Sequence, residues 1–208
     1  MTMAAGTHPT PKLERRAVVR ALLADRGELL VIAGLGAPAW DATEAGDHPL
    51  NFPLWGGMGG AVAMGLGLAL AQPDRRVLVL TGDGEMLMGM GSLATIGVQR
   101  TRNLAVVVLD NEHYGETGMQ PSHTKFGIDL AAIAKACGFA ASTLVTTMQQ
   151  VTALHGDLHR AGGPLFAQIK IAADKLPLVL PPRDGTHLKN RFREALLGAD
   201  ALILRLQE

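Results

Sequence analysis

Four short apolar runs, separated by segments with helical periodicity, constrain the fold of this chain more than any other feature. The runs are 29-LLVIAG-34, 76-RVLVLTGDG-84, 104-LAVVVLDN-111 and the segment 164–171, and a further strand is expected near Thr143. Strands that are apolar along their whole length are typical of parallel sheets, because helices cover both faces. The alternation therefore predicts an α/β fold of three layers, with a mostly parallel sheet and helices on both faces.

The intervals between these runs carry the predicted helices. The chain has 208 residues, which suffice for one domain with a full core, so residues 1–208 are expected to form a single domain. Within it, residues 174–208 are expected to be a C-terminal extension that packs on the domain or on a partner. Helices are predicted over Lys12–Asp25, after the glycine loop 56-GGMGG-60, and over Gly89–Arg100, Leu130–Cys137, Met148–Ala161 and Leu188–Leu197.

Charge and cysteine content exclude several classes of function. With 19 basic and 19 acidic residues the chain has no electrostatic footprint for nucleic acid or for an anionic membrane surface. A single cysteine, Cys137, cannot form an internal disulfide and suits a reducing cytosol, so a cytoplasmic location is expected. The uncharged segment 53–71 approaches the length of a membrane span. Its glycines would cost about 1 kcal/mol each in a helix, so a glycine loop entering a fully buried helix is predicted instead.

Polar residues and glycines stand where three of the predicted strands end. Gly34, Gly82–Gly84 and the pair Asp110–Asn111 all lie at carboxyl ends, where open parallel sheets bind their ligands. The side-chain oxygens of Asp83 and Asn111, with a nearby backbone carbonyl, suit Mg²⁺ that also binds phosphate oxygens. Gly84 would let an anion approach the backbone and the N–H groups of the next helix. Each motif alone is more typical of a turn or cap, but together they predict a magnesium diphosphate site.

These motifs also resemble a known family. The Gly-Asp-Gly motif, with Asn111 following Asp83 by 28 positions, is similar to the signature of thiamine diphosphate enzymes. The stretch 57-GMGGAVAMGLGLAL-70 resembles their glycine-methionine-glycine loop and helix. The stretches 93-LATIG-97 and 109-LDNEHYGETGMQP-121 are most similar to the sulfopyruvate and phosphonopyruvate decarboxylase branch. The resemblance covers roughly residues 15–170 and implies the diphosphate-binding domain of these enzymes.

The resemblance implies roles for individual residues. Asp83, Asn111 and the backbone carbonyl of His113 would ligate the magnesium ion, and Met58 would support the bent form of thiamine diphosphate. His113 and His123 have the residue type for proton transfer near neutral pH. The full predicted cofactor-binding set is Gly34, Leu35, Gly36, Gly57, Met58, Gly59, Gly82, Asp83, Gly84, Glu85, Asn111, His113, Tyr114 and Gly115.

One residue departs from the family pattern. The commoner pair in the family is Asn-Asn, whereas the first member here is Asp110. The ligand is the second member, Asn111, so the resemblance still implies metal binding. A buried carboxylate beside a metal diphosphate is repulsive unless it is hydrogen-bonded or turned away.

The expected function is one half of an enzyme. The family also needs a pyrimidine-binding domain that supplies an activating glutamate, and Glu14 and Glu28 stand in the wrong context for that role. Only about thirty residues precede the first strand, so an α subunit in a separate chain is expected to carry the glutamate. The resemblance then implies the β subunit of a decarboxylase acting on a small 2-oxo acid. A carboligase of the acetolactate synthase type and a non-catalytic cofactor-binding subunit remain open. A dinucleotide-binding domain is disfavoured, because 34-GLGAPA-39 does not complete G-x-G-x-x-G.

Overall fold

A six-stranded parallel sheet lies at the centre of the computed structural model, which describes residues 12–160 and 162–199. Its strand order is β2-β1-β3-β4-β8-β7, and every neighbouring pair is parallel. A separate antiparallel hairpin pairs β5 with β6. The strands are β1 Leu30–Ala33, β2 Asn51–Pro53, β3 Val77–Gly82, β4 Leu104–Asp110, β5 His113–Tyr114, β6 Gln120–Pro121, β7 Ala141–Val145 and β8 Leu165–Lys170.

Helices cover both faces of the sheet, which confirms the predicted three-layer α/β fold. One core cluster joins the sheet to α1, α2 and α7, and the other joins it to α3, α4, α5 and α6. Two short 3₁₀ turns, Gly115–Thr117 and His123–Phe126, follow β5 and β6. The helices are α1 Arg15–Leu23, α2 Ala37–Glu44, α3 Ala61–Ala71, α4 Asp83–Met88, α5 Gly91–Gln99, α6 Leu130–Ala136, α7 Met148–Leu158 and α8 Gly185–Leu197.

Strand β4 explains why the apolar runs are continuous. Its alternate residues face opposite clusters: Val107 belongs to the cluster with α1, α2 and α7, whereas Val106 and Val108 belong to the other. All three side chains are fully buried. A central strand of a three-layer fold therefore has no polar face until its carboxyl end.

Two expectations from the sequence are wrong in detail, and two elements were not predicted. The strand predicted over 76–84 ends at Gly82, and Asp83 begins α4, because the Gly-Asp-Gly motif is a strand-to-helix junction. The elements α2 and β2 were not predicted. Helix α3 is not fully buried, since one of its faces is exposed and apolar. That face comprises Ala63, Met64, Gly67, Leu70 and Ala71. Among the described residues, no helix has the length and apolar character needed to cross a membrane.

The C-terminal segment leaves β8 and reaches the opposite edge of the sheet. Two side chains of the domain donate hydrogen bonds to this segment. Arg16 donates to the carbonyl oxygen of Pro177, and the indole N–H of Trp55 donates to the carbonyl oxygen of Pro182 at 2.8 Å. Helix α8 then packs on β2, where the rings of Phe52 and Phe192 meet edge to face at 5.5 Å. Residues 200–208 of the expected extension, and Ala161 at the end of the predicted helix, lie outside the described residues.

Candidate functional site

The predicted site residues lie where the sheet changes direction. The connections that follow the adjacent parallel strands β1 and β3 run to opposite sides of the sheet. The chain passes from β1 through α2 to β2 on one side, and from β3 through α4 and α5 to β4 on the other. Such a switch point opens a crevice at the carboxyl ends of the two strands. Gly34 closes β1 at this edge by donating its N–H to the carbonyl oxygen of Leu80 at 2.7 Å. The crevice therefore lies between the Gly34–Gly36 loop and the start of α4.

Glu85 packs beneath the Gly34–Gly36 loop. Its side chain is buried, and its Oε2 accepts a hydrogen bond from the Thr81 hydroxyl at 2.8 Å. A Cβ on Gly34 would overlap the Glu85 carboxylate, so a larger residue there would have to displace that side chain. Burial raises the pKa of Glu85, and the Thr81 hydroxyl opposes that shift. Because the side chain turns inward, the part of Glu85 that remains for a ligand in the crevice is its backbone N–H.

Gly84 is the meeting point of three predicted cofactor-binding residues. A Cβ added to Gly84 would lie 2.5 Å from Cε1 of Tyr114 and 3.4 Å from Cε of Met58. The tyrosine ring thus covers the first turn of α4, and the methionine side chain comes from the loop before α3. The structure brings these residues together although they are distant in sequence.

Asp83 is a buried carboxylate that accepts a hydrogen bond from the Ser122 hydroxyl and lies close to a second hydroxyl. Its side chain is 2% exposed, Ser122 donates to Oδ2, and the Thr124 hydroxyl lies 3.3 Å from the same oxygen. Within residues 12–160 and 162–199, Asp83 forms no ion pair within 4.0 Å. Burial raises its pKa to about 6; the Ser122 hydroxyl opposes this shift, and the negative charge of Asp110 adds to it. A cation bound at Asp83 would offset both the cost of burying its charge and the repulsion from Asp110.

Asp110 is the second buried carboxylate, and its surroundings differ. Its Oδ2 accepts from the Gln168 amide at 2.6 Å and pairs with the Lys170 ammonium at 2.7 Å. Its Oδ1 accepts from the Thr124 hydroxyl at 2.7 Å and from the Glu112 N–H at 3.0 Å. Four donors therefore surround a side chain that is completely buried. The repulsion expected from an aspartate at this position is offset inside the chain.

Asn111 and His113 form a tight turn at the end of β4. The Asn111 Oδ1 accepts the His113 backbone N–H at 2.8 Å, and the His113 Nδ1 lies 2.8 Å from the Asn111 carbonyl oxygen. Glu112 between them has φ of 65°, the left-handed conformation. An amide oxygen has two lone pairs, so Oδ1 can accept this bond and still bind a cation.

The donor set of the crevice fits a hard cation. In the part of the chain that is described, no three His, Cys, Asp or Glu side chains are grouped so as to hold a metal ion. A cation beside Asp83 would therefore rely on amide and carbonyl oxygens, which with carboxylate are the ligands that Mg²⁺ prefers.

The two predicted proton-transfer histidines have different partners. His113 contacts Asn111, whereas the Nδ1 of exposed His123 lies 3.4 Å from the Tyr114 hydroxyl. Glu14 caps α1 by accepting from two backbone N–H groups, and Glu28 lies at the amino end of β1, paired with Arg75 at 2.9 Å. Glu28 therefore lies at the edge of the sheet opposite the crevice, and the carboxylate of Glu14 is already engaged as a cap.

Four residues around the aspartates were not anticipated from the sequence. Gln168 and Lys170 give a signal, because two polar residues spaced by two break an otherwise apolar central strand. Ser122 and Thr124 give none, since hydroxyl residues are common in loops. Their role appears only when the loop after β6 folds back onto the ends of β3 and β4.

Comparisons with known proteins bear on the family and the fold of the chain. The family model described as "Thiamine pyrophosphate enzyme, C-terminal TPP binding domain" matches residues 36–169. The sulfopyruvate decarboxylase subunit beta of Methanothermobacter thermautotrophicus is 35% identical over 187 residues, which are 90% of this chain and 97% of the relative. The phosphonopyruvate decarboxylase of Streptomyces viridochromogenes is 33% identical over 86% of this chain, which spans 45% of that relative. The crystal structure of benzoylformate decarboxylase from Polynucleobacter necessarius, 22% identical, matches the fold with a TM-score of 0.68 over 86% of this chain and 36% of its own.

Proposed function

This chain belongs to the thiamine pyrophosphate enzyme family, and on that premise we propose that it is the β subunit of a thiamine diphosphate- and Mg²⁺-dependent 2-oxo acid decarboxylase. One observation carries the proposal: the ends of β1, β3 and β4 bring the Gly34–Gly36 loop, Asp83 and Asn111 to one edge of the sheet. Relatives of similar length bear the name of a decarboxylase β subunit, which supports the type of reaction.

Magnesium would be held by Asp83, Asn111 and the backbone carbonyl of His113. The fit rests on a buried carboxylate that pairs with no cation among the described residues, and on neighbouring donors that are all oxygen atoms. Such a set leaves coordination positions for diphosphate oxygens and water. The cation would also offset the burial that raises the pKa of Asp83.

The diphosphate would lie between the Gly34–Gly36 loop and the first turn of α4. There the backbone N–H groups of Gly84 and Glu85 are available, because they lie in the first turn of α4, where N–H groups have no intrahelical partner. Met58 approaches Gly84 from the loop before α3, so it can support the ring system above the diphosphate. When bound, thiamine diphosphate supplies the electron sink that makes loss of CO₂ from a 2-oxo acid possible.

The chain's own titratable groups in the crevice are suited to moving a proton. Exposed His123 lies within reach of the Tyr114 hydroxyl, and Tyr114 in turn covers Gly84. This places an imidazole and a phenol beside the loop that would border the substrate. The His113 ring contacts the Asn111 backbone, so we assign His113 to holding the turn at the end of β4 rather than to proton transfer.

An α subunit would complete the site and supply the activating glutamate. The exposed face of α3 supports such a partner, because Met64 is 41% and Leu70 50% exposed in a helix that is apolar all round. A helix of this composition is stable when both faces are covered. Since α3 begins directly after the Met58 loop, a partner on this face would also border the cofactor.

The experiment is a decarboxylation assay with the α subunit. CO₂ release is measured from sulfopyruvate, phosphonopyruvate and pyruvate, with thiamine diphosphate and Mg²⁺, for each chain alone and for the mixture. We expect CO₂ and an aldehyde from the mixture and little from either chain alone. Products that join two substrate units would indicate a carboligase instead. Cofactor binding without any CO₂ release would indicate a non-catalytic subunit.

A matched pair of variants tests the partner face. Leu70→Glu places a charge on the exposed face of α3 and should abolish association with the α subunit while the chain stays folded. Leu197→Glu on α8, where the native side chain is 54% exposed, is the control and should associate normally. Association is measured by analytical ultracentrifugation. If both variants associate equally well with the α subunit, α3 is not part of the interface.

A further inference from the structure

The ion pairs of Lys170 support a further inference, which rests on the proposed function. The side chain stands at the end of β8, in register with Asp110 at the end of β4, and it is 21% exposed. Its ammonium lies 2.7 Å from Asp110 and 3.0 Å from Glu112. Glu112 has a second cation, because Lys12 lies 2.6 Å from its other carboxylate oxygen. In the described part of the chain, Lys170 is thus the cation that pairs with Asp110.

The four donors around Asp110 leave no oxygen lone pair directed at another ligand. A carboxylate offers about four acceptor positions, and here an ammonium, an amide, a hydroxyl and a backbone N–H occupy them. Asp110 and Asp83 are linked by one hydroxyl, that of Thr124, which lies 2.7 Å from one and 3.3 Å from the other. If Lys170 did not pair with Asp110, the Asp110 carboxylate would be a second anionic oxygen ligand beside Asp83.

We propose that Lys170 is a positioning residue that neutralises Asp110 and keeps it from binding the metal, so that Asp83 alone supplies the carboxylate ligand of the cofactor site. In the group Asp110, Glu112, Lys12 and Lys170, the two acidic side chains are balanced by the two basic ones, and Lys125 adds a further ammonium 4.0 Å from Glu112. This group therefore adds no negative charge to that of Asp83 at the cofactor site. An added carboxylate charge would attract the cation more strongly but repel the diphosphate.

The test uses Mn²⁺ as a probe for the cation, because it shares the oxygen ligands of Mg²⁺. Binding of Mn²⁺ to the full chain is followed by electron paramagnetic resonance, without thiamine diphosphate and without a partner. Lys170→Met should bind Mn²⁺ roughly tenfold more tightly than the native chain. Asp110→Asn should bind several-fold more weakly, and the double variant Asp110→Asn with Lys170→Met should return to the native affinity. Lys135→Met, which removes an exposed lysine of α6, is the matched control and should bind like the native chain.

Thiamine diphosphate binding in the presence of Mg²⁺ gives a second readout with the opposite sign. Lys170→Met should weaken it, since the uncompensated charge of Asp110 repels the diphosphate, and the double variant should restore it. A purely structural lysine would not strengthen the binding of one ligand while weakening that of the other. If Lys170→Met fails to fold, the Mn²⁺ affinities of Asp110→Asn and the double variant still test whether the charge of Lys170 acts at the metal site.

Two results would overturn the inference. One is equal Mn²⁺ affinity in Asp110→Asn and the double variant; the other is the absence of Mn²⁺ binding in every variant. Failure of the proposed function looks different: native Mn²⁺ binding and the predicted order of the variants would persist, while thiamine diphosphate would not bind even with the α subunit.

Discussion

Two aspartates at the ends of neighbouring strands have the same burial and different partners. Asp83 follows β3 and Asp110 ends β4, and both are at most 2% exposed. Asp110 pairs with Lys170, whereas the described partners of Asp83 are the hydroxyl groups of Ser122 and Thr124. A buried carboxylate is costly unless a cation balances it. The charge of Asp110 is therefore balanced within the chain, while Asp83 is arranged for a ligand.

The difference shows how equal residues can take separate roles through their neighbours. The cross-strand position of Lys170 on β8 brings an ammonium to β4, but β8 is not adjacent to β3 in the sheet. The strand order thus gives Asp110 a cation and leaves Asp83 facing the crevice between β1 and β3. Four predictions test this contrast, in order of decreasing effect.

The largest effect is expected from exchanging each aspartate for asparagine. Asp83→Asn should weaken Mg²⁺-dependent binding of thiamine diphosphate by more than about 100-fold, because it removes the charged metal ligand. Asp110→Asn should change that binding by less than roughly tenfold, since Asp110 is engaged with Lys170. Calorimetric titration with the α subunit measures both. Similar losses in the two variants would abolish the distinction between the aspartates.

The next effect concerns the contact between Gly84, in the first turn of α4 after Asp83, and Tyr114, in the hairpin after β4. Gly84→Ala should weaken cofactor binding at least roughly tenfold, because the added methyl group meets the Tyr114 ring and displaces it. Gly156→Ala in α7 is the control, since no atom lies within 4 Å of the position of its Cβ. Circular dichroism checks that both variants are folded. Equal affinities would mean that the position of Tyr114 does not matter for binding.

A smaller effect is expected at the hydroxyl groups near the aspartates. Thr124→Val removes a donor to buried Asp110 and should lower the free energy of unfolding by about 1–3 kcal/mol. Ser122→Ala removes the donor to Asp83 alone, so it should alter cation affinity with less effect on Asp110. Urea denaturation of the cation-free chain gives the first quantity. A stable Thr124→Val variant would argue against the shared hydroxyl.

The smallest effect is a pH dependence of the cation-free chain. The folded pKa of Asp83, about 6, lies well above the ordinary value of an aspartate, so the folded state binds this proton more tightly than the unfolded state. Its contribution to stability is thus present below the unfolded pKa and is lost as the pH rises toward 6. Asp83→Asn should match the native Tm at pH 4 and exceed it by a few degrees at pH 7. A Tm difference that does not change with pH would contradict the shift.

The sequence predicts the central strands well because each is an uninterrupted apolar run. It also indicates the crevice, since Gly34, the Gly-Asp-Gly motif and Asn111 stand at strand ends. Helix α2 and strand β2 escape prediction for a physical reason. Strand β2 has only three residues, and α2 has eight, with a glycine N-cap at Gly36 that lacks a side-chain hydrogen bond.

The partners of the aspartates could not be derived from spacing. Lys170 lies 58 positions after Glu112 and reaches Asp110 only through the parallel pairing of β4 with β8. Ser122 reaches Asp83 across 39 positions through a loop that carries no periodic signal. The exposed face of α3 was also missed, because an apolar sequence does not distinguish a helix buried in its own domain from one that a partner covers.

The most direct test of the two roles is the position of a bound cation. Crystals of the chain with its α subunit, thiamine diphosphate and Mn²⁺ would locate the ion by anomalous scattering. We predict an ion bonded to Asp83, Asn111 and the carbonyl oxygen of His113, with Asp110 still paired to Lys170. An ion bonded to Asp110, or a bound thiamine diphosphate whose cation does not touch Asp83, would contradict the assignment.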